Sequence, residues 1–327
     1  MLKGLYILND FNLIYGSVHE EIGKYIDIYT EPQTKQSIQQ NPSILSEAEV
    51  IFSGWGCPLM DEKFLQYAPR LKAVFYGSGS VKDFITDAFW ERNIALSSAY
   101  AANGLSVAEF TLSQILFSLK RGWFFVNYVK NNHKHSPKKV VPGVYGSTIG
   151  IISLGMIGRM VCEFLKHFGV RVIAYDPFVS QQDASNLQVE LCSLEQIFQL
   201  GDVVSLHAPN LKETEGLITG SHFASMKPNS TFINTARGRV VREQEMIEVL
   251  QQRQDLFALL DVTYPEPPVE DSPLYNLDNV ILTPHISGTM SRECQRMGAY
   301  MLDELLRYLN GEELQWGITR EKVVNMA

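Results

Sequence analysis

The chain has little cysteine. Its 327 residues include four, Cys57, Cys162, Cys192 and Cys294, scattered and without a C-x-x-C pair. That excludes a disulfide framework or a cysteine zinc site, and reads as reduced thiols in a cytoplasmic protein. Long apolar runs are also missing. None approaches the roughly 18 residues of a membrane span, and the opening MLKGLYILND turns polar at Asn9 and Asp10, too early for a signal-peptide core. Basic charge is scarce: 28 Lys and Arg against 36 Asp and Glu leave a net charge of −8. Phosphate backbones are gripped by clustered Lys and Arg, so neither nucleic acid nor membrane is expected as a partner. The densest basic stretch, KNNHKHSPKK at 130–139, has no helical period and reads as a solvated loop. His133 and His135 within it have no Cys or carboxylate nearby in sequence, and no metal site is expected there.

What the chain does have is alternation. Short β-branched and aromatic runs recur between amphipathic stretches. In the first hundred residues they are LYIL, EVIFSG, KAVFY and IALSS; from 148 onward they are TIGIISL, RVIAYD, DVVSLH, STFINTA, LFALLDV and NVILTP. Helical segments such as 156–168 and 242–252 lie between them. Near-continuous apolar strands of this kind are covered on both faces, the signature of parallel sheets. Two such series imply an α/β protein with two doubly wound parallel-sheet lobes and a cleft between them. Between the series, NGLSVAEFTLSQILFSLKRG carries an S-x-x-E pair, Ser106 and Glu109, that reads as a capping box opening a helix. WFFVNYV follows, and reads either as core or as a subunit contact. The last long helical pattern ends at Gly311, a C′ glycine, and is expected to pack on the first lobe.

GIISLGMIGR at 150–159 nearly completes G-x-G-x-x-G. The first glycine of that pattern serves a tight turn, the second admits a pyrophosphate, and the third lets helix and strand pack closely. Gly155 and Gly158 fill the last two places, with Met156 and Ile157 at the helix N-terminus, while Ser153 stands in the first. A serine holds that turn if its φ stays negative. Asp176 ends the next strand, 21 residues after Gly155, where a carboxylate accepts from the adenosine ribose and repels a 2′-phosphate. NAD is therefore the expected cofactor.

Three polar residues fall just past predicted strands, the edge where open α/β sheets bind ligands: Arg237, Glu266 and His285. Reducing a 2-oxo acid requires a cation to hold the carboxylate, an acid to protonate the carbonyl oxygen, and a carboxylate to keep that acid loaded. On the first lobe, FSGWG at 52–56 and FYGSGS at 75–80 supply two more strand ends, with Trp55, Tyr76, Ser78 and Gly79 as the substrate-side candidates. Neither loop contains Arg or Lys, which argues for a small uncharged or apolar substituent over a phosphorylated one.

Taken together, SVAE, GIISLGMIG, Asp176, LHAPNLKET, MKPNSTFINTARG, LLDVTYPEP and TPHISG, in this order and spacing, resemble the D-isomer-specific 2-hydroxyacid dehydrogenase family, the group of D-lactate, D-glycerate and D-3-phosphoglycerate dehydrogenases. The resemblance implies an NAD-dependent interconversion of a 2-oxo acid and a D-2-hydroxy acid. It gives substrate binding to Arg237, acid/base work to His285 and the orienting of that histidine to Glu266. It gives the substrate carboxylate to the backbone of Ser78 and Gly79, and the nicotinamide carboxamide to Asp261. His207, Pro209, Thr214, Thr235, Ala236 and Gly288 would line the cofactor. It also implies Rossmann-like and flavodoxin-like lobes: residues 102–289 for NAD, and 1–101 with 290–327 for substrate. A homodimer through the NAD lobe follows from it, which favours the contact reading of WFFVNYV.

Two departures stand out. Ser153 is expected to weaken NAD binding without abolishing it. HISGT, followed by Met290, resembles the formate dehydrogenase branch, but Glu266 is acidic where that branch pairs its histidine with Gln. Formate oxidation needs no general acid, so the carboxylate favours carbonyl reduction. A non-catalytic NADH sensor of the same fold, like the C-terminal-binding corepressors, is the alternative from another class.

Overall fold

The computed structural model describes residues 1–136 and 141–324, so residues 137–139 of the basic stretch lie outside the described residues. The chain divides into two compact units, residues 1–104 with the stretch from Thr289 onward, and Leu105–Gly288.

The first unit is built on a five-stranded sheet: β1 (Leu2–Ile7), β2 (Ile26–Ile28), β3 (Val50–Ser53), β4 (Ala73–Tyr76) and β5 (Ala95–Ser98), in the order β2-β1-β3-β4-β5. Every pairing is parallel. Successive side chains of a strand leave on opposite faces. Leu5 and Ile7 accordingly join one apolar cluster, with Phe64, Val74 and Phe89, while Tyr6 and Leu8 join another, with Phe52 and Phe75. The helix Cys294–Leu309 closes the second face through Met297, Met301 and Leu305. It ends as its sequence implies, with Gly311 in the left-handed region at φ 71°. Buried Glu304 of this helix accepts from Ser97 Oγ at 2.6 Å and from the amides of Gln315 and Trp316 at 3.0 Å, tying the last turn of chain to the sheet.

The second unit carries seven strands: β6 (Thr148–Ile152), β7 (Arg171–Tyr175), β8 (Glu190–Leu191), β9 (Val203–Leu206), β10 (Thr231–Asn234), β11 (Phe257–Leu260) and β12 (Val280–Leu282). Their order is β12-β11-β10-β9-β6-β7-β8, again all parallel. The chain runs outward from β6 through β7 to β8, then returns to β9 and runs the other way. The reversal lies between β6 and β9. In the first unit the corresponding reversal lies between β1 and β3. Ligands of open α/β sheets bind at such points, outside the carboxyl ends of the strands.

The ten apolar runs read as strands are strands. The two that escape the reading, β2 and β8, are edge strands of three and two residues, too short to show a pattern. The expected capping box is not one. The helix starts at Tyr100 and runs to Leu119, so Ser106 sits in its second turn and its buried hydroxyl has no hydrogen-bond partner among the described residues. Buried Ala101 and Ala102 have already begun the helix, and alanine is its best former. WFFVNYV belongs to the helix Gly122–Asn132, none of whose residues is fully buried.

Candidate active site

The glycine loop joins β6 to the helix Met156–Leu165, with Gly155 at its N-cap and no side chain capping it. The amides at the start of this helix are therefore available, and the helix end carries partial positive charge. A Cβ on Gly155 would find only Ser153 Oγ, at 3.9 Å, so open space lies where a pyrophosphate must approach. A Cβ on Gly158 would meet the Ser153 carbonyl at 2.1 Å, so here only glycine lets helix and strand close up.

Ser153 has a φ of 75°, in the left-handed region, so the condition of a negative φ under which a serine holds this turn freely is not met. Its amide donates to Tyr175 O at 2.8 Å and its carbonyl packs against Gly158, so the surroundings impose the conformation. For a residue with a Cβ this costs about 1–2 kcal/mol. Asp176 faces the same loop. Its Oδ2 accepts from the Leu154 amide at 2.7 Å and from Ser153 Oγ at 3.4 Å, and its Oδ1 from the Phe178 amide at 2.9 Å.

His207 follows β9, directly across the reversal from β6. Its amide donates to Ile152 O at 2.9 Å and its Nε2 lies 3.0 Å from buried Ser205 Oγ. Part of the residue reaches the surface, but desolvation of the ring pushes its pKa down to about 4, so the imidazole is neutral at pH 7. Thr214 turns inward on its own loop, donating to Pro209 O at 2.6 Å and accepting from Leu211 N at 2.9 Å. Thr235 is buried, 3.1 Å from Thr111 Oγ1 on the long helix. Next to it, Asn234 accepts from the Ala236 amide at 3.0 Å and donates to Arg237 O at 3.1 Å, fixing the turn after β10.

Arg237, Glu266 and His285 follow three adjacent strands whose ends, Asn234, Leu260 and Leu282, lie in register. Arg237 donates to Ala236 O at 2.7 Å. Gly238 brings this turn hard against the next: a Cβ there would meet the Thr263 backbone at 2.1 Å. Glu266 Oε1 lies 2.5 Å from His285 Nδ1. The pair borders a pocket of about 450 Å³ whose wall includes Asp261, Thr263, Tyr275 and Thr283.

Asp261 is the residue whose work the sequence hides. It is buried and accepts from Thr283 Oγ1 at 2.6 Å and from the amides of Ile286 and Ser287 at 2.8 Å. Its carbonyl also accepts from the His285 amide at 3.1 Å. These bonds hold His285 at φ 53°, another left-handed backbone outside glycine. Asn234, Gly238 and Thr283 are likewise supports that the sequence reading passed over. Only the N at a strand end, the G after Arg237 and the T two before the histidine mark them in the sequence. Gly288 is half-buried at the end of the same loop.

In the first unit, Trp55 lies at the β1/β3 reversal, half-buried, its carbonyl accepting from Asn9 N at 2.9 Å. Tyr76 turns into the core against Phe84, ring centres 4.6 Å apart, and burial pushes its hydroxyl up to about 12. Ser98 Oγ bonds to the carbonyls of Ser78 and Gly79, at 2.8 and 2.5 Å, which fixes the backbone of that loop.

An uncapped helix end beside a glycine, an acid at the next strand end, and a carboxylate-bound histidine on the same sheet edge have the pattern of a nucleotide-binding α/β unit. Residues 112–287, over half of the chain, match the model of the D-isomer specific 2-hydroxyacid dehydrogenase NAD-binding domain. The chain is 31% identical over 290 residues to a D-3-phosphoglycerate dehydrogenase of Archaeoglobus fulgidus, covering 88% of this chain and 54% of that one. It is 34% identical over 253 residues to an (S)-sulfolactate dehydrogenase of Chromohalobacter salexigens, covering 76% and 81%. The chain thus spans about half the length of the phosphoglycerate dehydrogenases it matches. In fold it superposes on an NAD-complexed D-isomer specific 2-hydroxyacid dehydrogenase of Lactobacillus delbrueckii ssp. bulgaricus with a TM-score of 0.82, at 20% identity, over 97% of this chain and all of that one. The protein belongs to the D-isomer-specific 2-hydroxyacid dehydrogenase family, and its cofactor is NAD.

Proposed function

We propose that the chain interconverts a 2-oxo acid and a D-2-hydroxy acid, with His285 as the acid/base. The observation that carries this is the 2.5 Å contact of Glu266 with His285 Nδ1 beside the pocket. A carboxylate on Nδ1 keeps a proton there and turns Nε2 outward as the working nitrogen. NADH held in the second unit would supply the hydride that C2 of the oxo acid takes up. His285 gives its Nε2 proton to the carbonyl oxygen as that oxygen gains charge, and in the reverse direction takes it back. Arg237 binds the substrate carboxylate and polarises the carbonyl, a stabilisation worth most where charge develops. Gly155, Met156, Ile157 and Gly158 take the pyrophosphate, Asp176 the ribose, and His207, Pro209, Thr214, Thr235, Ala236, Asp261 and Gly288 the rest of the cofactor. Residues 1–101 with the tail from 290 form the substrate-binding domain, where the backbone of Ser78 and Gly79 takes the carboxylate and Trp55 favours an unphosphorylated substituent.

A homodimer through the second unit completes the proposal. Phe117, Val126 and Val129 are exposed on the two helices that flank Arg121. Arg121 is buried, its guanidinium 4.5 Å over the Phe124 ring, and burial lowers its pKa. Its Nε and the Ser118 hydroxyl are buried without a hydrogen-bond partner among the described residues. A second copy laid on these helices covers the exposed side chains of Phe117, Val126 and Val129.

The test is NADH oxidation against a panel of 2-oxo acids from glyoxylate to bulky apolar acids, with His285→Ala in parallel. Turnover by the wild type and a loss of roughly 10²-fold or more in the variant are expected. NADH binding with no turnover of any acid would remove the enzymatic reading in favour of a sensor.

A further inference from the structure

We infer that Ser153 is a cofactor-selecting residue: its hydroxyl pins the Asp176 carboxylate against the glycine loop and so sharpens the choice of NAD over its 2′-phosphorylated form. The inference rests on the proposed use of Asp176 for the ribose.

The argument starts from how Asp176 is held. An ionised carboxylate has about four acceptor positions. Three are taken by groups within two residues of it or in the glycine loop: the Leu154 and Phe178 amides and Ser153 Oγ. The remaining capacity suffices to accept from a ribose hydroxyl. A 2′-phosphate puts negative charge at the same place, and the carboxylate can relieve that only by swinging away. Each bond that holds it makes the swing harder. Two of the three are backbone amides that any residue would provide. The third comes from the side chain that replaces the usual turn glycine.

Ser153 is held where it must act. Its backbone is fixed by Tyr175 O on one side and by the close approach of Gly158 on the other, so the left-handed φ of 75° is forced and the hydroxyl stays near Asp176. Its Oγ also lies 3.9 Å from the position of a Cβ on Gly155, at the mouth of the open space beside the helix end. Selectivity is thus obtained at some loss of affinity: a glycine would relax the turn and clear that space, but would release Asp176.

Equilibrium dissociation constants for NADH and NADPH, read by cofactor fluorescence, test this in the wild type, Ser153→Ala, Ser153→Gly, and both variants in an Asp176→Ala background. The alanine keeps the strained backbone and loses the hydroxyl. The preference for NADH is expected to fall roughly threefold in both single variants, the low end of what a hydrogen bond supplies and in keeping with a contact of 3.4 Å. The glycine should in addition bind NADH more tightly and unfold at higher temperature. Without Asp176 the serine should have no effect on preference. A preference unchanged within about twofold in both single variants, or an equal effect with Asp176 removed, overturns the role of Ser153 while leaving the cofactor assignment intact. Failure of the wild type to bind NADH would overturn the proposed function, and this inference with it.

Discussion

Asp261 holds the loop that presents His285: its two carboxylate oxygens take the amides of Ile286 and Ser287 and the hydroxyl of Thr283, and its carbonyl takes the amide of His285 itself. The histidine is thus held at its backbone by a buried acid and at its ring by an exposed one, Glu266. The two acids predict different failures.

Asp261→Asn replaces an acceptor with an amide that must face another N–H. A buried donor left unsatisfied costs about 1–3 kcal/mol. The variant should unfold at lower denaturant and lose activity because His285 is no longer held. A variant as stable as the wild type, with only nicotinamide affinity reduced, would show that the loop does not depend on this residue.

Glu266→Gln keeps the shape of the side chain and removes the charge. The fold should be unaffected, because the pair is about half exposed. Turnover should fall by roughly 10- to 10²-fold, the scale of a misoriented acid/base, with NADH affinity unchanged. Unaltered turnover would mean that Glu266 does not orient the histidine.

His207 predicts a pH dependence of stability. Its folded pKa, about 4, lies below the ordinary 6.5, so the unfolded chain takes up its proton first as pH falls. The contribution is fully present above 6.5 and is lost between there and 4. Linkage gives a loss of about 1–2 kcal/mol on going from pH 7 to about pH 5. Chemical unfolding of the wild type and His207→Gln at both pH values should show the difference shrinking in the variant.

Paired substitution of Val126 and Val129 by Glu places charge on the exposed helix face. Light scattering after gel filtration should show a dimer for the wild type and a monomer for the double variant, with secondary structure retained. Identical masses would remove this face as the subunit contact.

Much of this architecture can be read from the sequence because parallel strands are buried on both faces and so appear as unbroken apolar runs. Ile149, Ile151, Val203 and Val204 are all near zero exposure. Arg237, Glu266 and His285 were legible for a related reason: polar residues just past such runs stand at the ligand edge of the sheet. Ser153 was not. Its chemistry allows a negative φ, and the positive one comes with the packing of Gly158, six chain positions beyond the end of the strand and visible only in space. Asp261 hid for a different reason: backbone amides are its partners, and every residue has one. The start of the long helix was misplaced because Ser106 and Glu109 have the spacing of a cap while Ala101 and Ala102 had already committed the backbone.

The brevity of β2 and β8 bears on how the protein avoids clumping. A long, flat outer strand offers its free amides and carbonyls to any similar strand, a route to fibrous aggregates. Here the two outer strands of the larger sheet have two and three residues, and Glu190 of the shorter one is clasped by Arg171 through contacts of 2.7–3.2 Å. One edge of the sheet in the other unit is a strand of three residues, with exposed Asp27 at its centre. These margins give a foreign strand too little length to register and a charge to displace.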